Sequence, residues 1–347
     1  MPDRALNVSI VAVPDSGAAT MFGVHDVLNY VALPGLAGSA EAAFRVEIVG
    51  SESGPLVGAS GVPVPVARSI RDIERTDLVI VPSVVLGPDG WQTGRYPELV
   101  EWAQRMHRQG ALLCSACSGI FLLAETGLFD DRDVTVHYDY ASNLNAVHPA
   151  LRVHPERALM VTGTRDELVT SGASTTWHDL VLYLIGRFAG ATVAQEAARM
   201  FALQWHQDGL SPYMLFEGRR DHGDAVVAAA QEWLRDHYAV ANPVEQLVGR
   251  SGLAERTFKR RFTESTGVSP LAYVQRIRID EAKRRLERTE SSVEAVGRHV
   301  GYEDSAFFRR LFKRITGMAP GGYRRRFRVP SITPPVVNQA RGDASAQ

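Results

Sequence analysis

The sequence predicts two unlike folds in series: an α/β sandwich around a parallel sheet, then an all-α unit built from two helix-turn-helix motifs. Three observations carry this. Apolar strand-like runs alternate with helical spacing over the first two thirds of the chain, the pattern then turns purely helical, and the helical part repeats itself once. With 347 residues, of which 45% are hydrophobic and 22% charged, the chain is long enough for two cores.

In order, "NVSIVAV" is a β-branched strand and "FGVHDVLNYVAL" has helical spacing. "FRVEIVG" and "DLVIVPS" are strands, "YPELVEWAQRMHRQG" is an amphipathic helix closed by Gly110, and "ALLCS" is the next strand. Near-continuous apolar strands linked by helices belong to a parallel sheet covered on both faces. Shorter pieces follow ("RDVTVHY", "RALMVTG", "ELVTSG"), then a helix from about Thr176 to Phe188. After "EGRRDHGD" the pattern is helical, and the tail "VPSITPPVVNQARGDASAQ", Pro-rich then polar, reads as disordered. The longest apolar runs, Ala111 to Ala124 and the one from Leu180 that Arg187 interrupts, are too short to span a bilayer. "MPDRALNVSIVAVP" lacks the pattern of a secretory signal, and two cysteines make no disulfide framework, so a cytoplasmic protein with no membrane partner is expected.

The formal net charge of -1 hides an asymmetry. Residues 242–328 hold 20 Lys and Arg against 10 Asp and Glu; the rest of the chain holds 18 against 29. A basic segment on an acidic chain points to a polyanion as its partner. The same segment contains the repeat. Val244, Glu245, Gly252 and Leu253 are matched 49 residues later by Val293, Glu294, Gly301 and Tyr302, whereas Phe258, Arg260, Phe262, Gly267, Pro270 and Tyr273 recur at a spacing of 50. Each copy is a short helix, a tight turn at Gly252 or Gly301, and a second helix, which is helix-turn-helix spacing. Asn242 before Pro243 suits a helix start as N-cap.

Phe258 and Phe262 face inward in the first copy, so Arg256, Lys259 and Arg260 face out. In the second copy Phe308 and Phe312 face inward, and Ser305, Arg309 and Arg310 face out. Between them "SPLAYVQRIRIDEAKRRLERT" starts at a Ser269 cap and carries apolar residues at 271, 274, 277, 282 and 286. A helix of about 20 residues spans about 30 Å, close to the ~34 Å between major-groove segments on one face of B-DNA. One chain can therefore place two reading helices in adjacent turns. Arg-rich helices alone are as often solvated surfaces; two matched copies, the linking helix and the charge surplus favour DNA.

Over about 100 residues, including "VGYEDSAFFRRLFKRITGMAPGGYR", this segment resembles an AraC/XylS-type DNA-binding domain. It departs from the family at Ala254 and Ala306, where serine is usual. The first change weakens the cap of one reading helix, and the second removes a phosphate or base contact from the other.

In "ALLCSACSGIFLLAETG" a strand runs into a helix with Cys117 on the turn, where a helix N-terminus favours thiolate and Gly119 permits close packing of the elbow. The first 200 residues resemble the ThiJ/PfpI branch of the amidotransferase-like, flavodoxin-like fold. Cys117, Ser118 and Gly119 sit at that family's elbow, and His137 follows at its usual distance for a partner. The segment "FGVHDVL" resembles the one that carries an acidic residue toward the cysteine, which would be Asp26. Asp139 is an orienting group for His137. Three readings compete: an amidase or hydrolase with Cys117 as nucleophile, a redox sensor using Cys114 and Cys117, and a ligand pocket that keeps the elbow geometry. Joined to a DNA-binding module, the ligand pocket (Asp26, Cys117, His137) is preferred, with no catalytic residue and no cofactor. Cys114 is expected to point into the sheet. His148, His154, His178 and His206 lack metal-ligand spacing, so no metal is expected, and Trp177 reads as core.

The architecture resembles the GlxA/FtrA-type branch of AraC-family regulators. The expected organisation is a sensing and dimerisation domain over 1–215, a linker over 216–223, a DNA-binding domain over 224–328 and a tail over 329–347. The expected function is a homodimeric, sequence-specific DNA-binding regulator, an activator working with RNA polymerase. The resemblance implies an effector that is an amine or amino-acid-like metabolite. The alternative is a cysteine-dependent hydrolase or thiol redox sensor fused to a DNA-binding domain.

Overall fold

The computed structural model describes residues 4–32 and 43–328; the expected tail lies outside them. The chain divides into two compact units between Met214 and Leu215. Unit 1 runs β1 (Leu6–Val11), α1 (Ala18–Ala32), β2 (Phe44–Gly50), β3 (Gly54–Val57), β4 (Pro63–Val66), β5 (Arg68–Ser69), β6 (Leu78–Val81), α2 (Pro97–Arg108), β7 (Leu112–Ala116), α3 (Ile120–Ala124), β8 (Asp133–Val134), α4 (Ala141–Val147), β9 (Arg152–Val153), β10 (Leu159–Thr162), β11 (Leu168–Ser171), α5 (Trp177–Phe188) and α6 (Ala191–Phe201).

A seven-stranded sheet has the order β10-β11-β7-β6-β1-β2-β5. Its ladders are parallel except β10 against β11. The expected sandwich follows from the strand alternation. In β6, Leu78 and Ile80 join the layer of α1, α5 and α6 with Val24, Leu28, Leu180 and Leu184. Val79 and Val81 join the opposite layer with Trp102, Met106 and Phe121 of α2 and α3. Burial on both faces explains why the central strands read as unbroken apolar runs. Each such aliphatic side chain gains about 1.5–3 kcal/mol on leaving water.

Unit 2 contains α7 (Ala225–His237), α8 (Pro243–Ser251), α9 (Glu255–Thr266), α10 (Pro270–Arg288), α11 (Val293–His299), α12 (Ser305–Thr316) and α13 (Pro320–Phe327). It has two cores. Val227, Leu234, Leu247, Phe258, Phe262, Tyr273 and Val274 make one; Ile279, Leu286, Val296, Phe308, Phe312 and Tyr323 make the other. The 19-residue α10, ~28 Å long, feeds both. Gly252 and Gly301 take φ of 67° and 85° at the two turns, the left-handed region that favours glycine.

Several local expectations change. Asn242 is itself left-handed and makes no side-chain cap, so Pro243 alone shapes the start of α8. In α10, Leu271 is 58% exposed and Ile277 only partly buried, while Tyr273 and Ile279 take the core positions. Asp280 and Lys283 are buried as well, 3.8 Å apart, which an apolar stripe does not anticipate. Segment 216–223, expected as a linker, makes defined contacts: the Phe216 N–H donates to Asp280 Oδ2 at 2.6 Å, the Phe216 ring meets Tyr273 edge-on at 4.9 Å, and Gln231 Nε2 donates to Arg219 O at 2.8 Å.

Candidate nucleic-acid interface and sensing site

The second helices of the two helix-turn-helix motifs, α9 and α12, are built as amphipathic bars. Phe258 and Phe262 of α9, and Phe308 and Phe312 of α12, are fully buried; Arg256, Lys259, Arg260, Arg309 and Arg310 are exposed, and Ser305 is half-buried. Ala254 gives α9 no side-chain cap. In α12, Asp304 takes that role, accepting the Ala306 and Phe307 N–H groups at 2.8 and 3.0 Å. Three of the outward cations rest on carboxylates. Lys259 Nζ lies 2.5 Å from Glu255, Arg260 Nη1 donates to both oxygens of Glu264 at 2.9 Å, and Arg309 pairs with Glu294. Exposed pairs of this kind hold weakly.

In unit 1, β7 ends at Ala116 and the chain turns sharply through Cys117, whose φ of 55° is left-handed and whose exposure is 3%. Gly119 lies under the turn. A Cβ there would sit 2.3 Å from Val81 O and 2.6 Å from Pro82 O. Ser118 locks the elbow from the side, its Oγ donating to Val84 O at 2.6 Å and accepting the Val84 N–H at 2.9 Å. The helix that follows has five residues, and its effect on the thiol is outweighed. Burial pushes the Cys117 thiol up, and hydrogen bonds from Ser118, Ser174 and the His137 backbone offset this only in part. Burial pushes Cys114 up to about 12. Where the sequence predicts a helix N-terminus that favours thiolate, burial instead favours the neutral thiol.

His137 is brought to Cys117 through its backbone N–H. Its imidazole turns to its own loop: Nδ1 accepts the Asp139 N–H at 3.3 Å, with the Asp139 carboxylate 3.6 Å away. The ring packs on Tyr138 and Tyr140 at 4.3 and 5.5 Å. Burial lowers its pKa and keeps it neutral near pH 7. Asp26 is not brought to the cysteine. Its side chain is 70% exposed and contacts His25 Nδ1 at 3.3 Å. The buried stripe of α1 is Thr20, Met21, Val24, Val27, Leu28 and Val31, and Asp26 lies off that helical period. The polar residue on the stripe is Thr20, whose hydroxyl accepts from Ser83 Oγ at 2.9 Å; the period alone would have found it.

Sequence reasoning also missed Asp179. It is 3% exposed and accepts both the His206 N–H at 2.8 Å and a contact from His206 Nδ1 at 2.6 Å. The pair pins the segment after α6 to the start of α5. Trp177 beside it packs on α1, where a Cβ on Gly23 would lie 2.5 Å from its ring. Among the described residues no cluster of three or more His, Cys, Asp or Glu is placed to hold a metal ion, and no helix is long and apolar enough to cross a membrane.

The elbow geometry yields a first prediction. Iodoacetamide should label Cys117 at pH 7.5 at least about tenfold more slowly than a free thiol, because both burial and the raised pKa suppress thiolate. The rate should climb only as pH rises above the ordinary cysteine range. Rapid labelling of the folded protein at pH 7, followed by mass spectrometry, would contradict the buried thiol.

A sheet flanked by helices with a cysteine elbow, followed by two linked helix-turn-helix motifs, defines a DNA-binding transcriptional regulator. Comparison with known proteins agrees. The DJ-1/PfpI family model matches residues 26–186 and a helix-turn-helix domain model matches residues 247–326. The HTH-type transcriptional regulator CdhR of Pseudomonas aeruginosa is 25% identical over 314 residues, covering 84% of this chain and 85% of that protein. The HTH-type transcriptional activator RhaS of Escherichia fergusonii is 33% identical over 203 residues, covering 54% of this chain and 72% of that one. A protein from Vibrio parahaemolyticus, solved as a candidate transcriptional regulator, superposes with a TM-score of 0.50 at 19% identity over 57% of this chain and 99% of its own, which supports the fold. The chain belongs to the AraC/XylS family of transcriptional regulators, in the GlxA-type branch that carries an N-terminal DJ-1/PfpI domain.

Proposed function

We propose that this regulator is a cytoplasmic homodimer that senses a small metabolite at the Cys117 elbow of unit 1 and activates transcription with RNA polymerase, without catalytic turnover of its own. The observation that carries the non-enzymatic reading is the elbow itself. A nucleophile needs a base within hydrogen-bond reach of its sulfur, and here the His137 backbone, not its imidazole, meets a buried neutral thiol. An amine or amino-acid-like molecule is the effector chemistry proposed for a site at Cys117 and His137. The test is a thermal-shift screen of the full chain against a metabolite panel, alongside amidase and esterase assays. Effector binding weakened by Cys117→Ala, with no turnover in either protein, supports sensing. Turnover that Cys117→Ala abolishes would replace this reading by the hydrolase.

On DNA, we assign base or phosphate contacts to Arg256, Lys259 and Arg260 of α9 and to Ser305, Arg309 and Arg310 of α12. If about four phosphates are engaged, affinity should fall about a hundredfold between about 50 and 200 mM salt; a flat response would sink the assignment. Binding-site selection with Arg256→Ala and with Arg309→Ala should relax preference in separate halves of the site, about one helical turn apart, by about 1–3 kcal/mol where a guanine edge is lost. An even loss of affinity with the preferred sequence intact would reduce these arginines to positioning contacts.

A further inference from the structure

The two reading helices differ at their first turns in a way the repeat makes legible. At a spacing of 50, Arg256 and Thr257 of α9 correspond to Ala306 and Phe307 of α12. The first copy thus presents a cation and a hydroxyl where the second presents two apolar side chains. Phe308 is fully buried, yet Phe307 beside it is 39% exposed. Among the described residues of unit 2, the exposed large apolar side chains are Leu215, Leu271 and Phe307, and of these Phe307 alone lies on a reading helix.

Phe307 is held in place. Its ring packs at 5.6 Å on Tyr302, whose other contacts include Phe308 at 5.9 Å and the Arg278 guanidinium at 4.9 Å. The Asp304 cap fixes the backbone of both Ala306 and Phe307. Arg310 stands four residues beyond Ala306 and three beyond Phe307, so all three share one stretch of helix surface. An apolar patch next to a cation at the N-terminal turn of a reading helix faces base edges. The apolar group that a base pair offers in the major groove is the 5-methyl of thymine.

We propose that α12 reads thymine through Ala306 and Phe307 packed on its methyl group, so that the two halves of the operator are recognised by different chemistry. The proposal rests on the assignment of α12 as a groove-reading helix, and its test separates the two. Full-length protein is titrated against its selected site and against versions in which each thymine of the second half is replaced singly by deoxyuridine, which removes the methyl and leaves every hydrogen-bonding group.

At one or two thymines the replacement should weaken wild-type binding about three- to fivefold, the loss of one buried methyl. Phe307→Ala should bind the thymine site about as weakly and should be indifferent to deoxyuridine. If wild type and Phe307→Ala respond alike to deoxyuridine while Arg310→Ala still relaxes the second half-site, α12 reads the groove without this contact and the proposal fails. If Arg310→Ala also leaves the half-site preference intact, the assignment of α12 fails with it. A selected second half-site without a thymine that responds overturns the proposal equally.

Discussion

Gly119→Ala should abolish recovery of folded protein, or lower the melting temperature of unit 1 by at least about 6 °C. The backbone at Gly119 is helical, with φ of -58° and ψ of -20°, so an alanine there is free of conformational strain. The obstacle is contact. The new Cβ would meet two backbone oxygens at 2.3 and 2.6 Å, and neither can swing aside as a side chain would. Val81 belongs to β6, paired to β7 through Val81 and Ser115, so relief means separating central strands at the elbow. Overpacking of flexible neighbours costs about 1–3 kcal/mol, and a rigid strand should cost at least the upper figure, equivalent to about 6–12 °C for a domain of this size. Gly127→Ala is the control. Gly127 is left-handed at φ 71°, with its nearest neighbour, Asp130 Oδ2, 3.8 Å from the added Cβ, so that change carries only the left-handed penalty of about 1–2 kcal/mol. Equal melting temperatures for the two variants would refute the steric account.

Asp179→Ala should destabilise unit 1 by about 2–5 kcal/mol, since two buried contacts of His206 lose their acceptor at about 1–3 kcal/mol each. The side chains of Asp179 and His206 are 4% and 7% exposed, so water does not replace the lost carboxylate. Both the His206 N–H and its ring nitrogen lose their acceptor. Calorimetry of the full chain should resolve a lower transition for unit 1, with the transition of unit 2 in place. A shift under about 2 °C would mean that the segment after α6 is held by other contacts, such as the Leu210 N–H on Glu156 O at 2.8 Å.

Local periodicity made most of this molecule legible. The alternation of strands and helices and the inward Phe258, Phe262, Phe308 and Phe312 follow from spacing along the chain, and the close packing at Gly119 from its place on a strand-to-helix elbow. What escaped was polar pairing between distant positions. Asp179 and His206 lie 27 residues apart, and Asp280 meets the Phe216 N–H across 64; neither leaves a periodic trace. Asp26 was misplaced because a motif outweighed the buried stripe of its own helix. The charge state of Cys117 escaped for a different reason, since desolvation depends on how completely the elbow is enclosed, which strand-to-helix order does not specify.

The two cores of unit 2 meet on α10 without sharing a side chain: Tyr273 and Val274 serve the first, Ile279, Ala282 and Leu286 the second. Changes around Phe308 therefore leave the surroundings of Phe258 untouched, and effects in the two cores should add. If each copy contacts its own half-operator as proposed, the two preferences become separately heritable traits for descent with modification. One copy could then drift toward new bases while its twin keeps its own, so that a duplicated gene would acquire a new set of targets in two small steps.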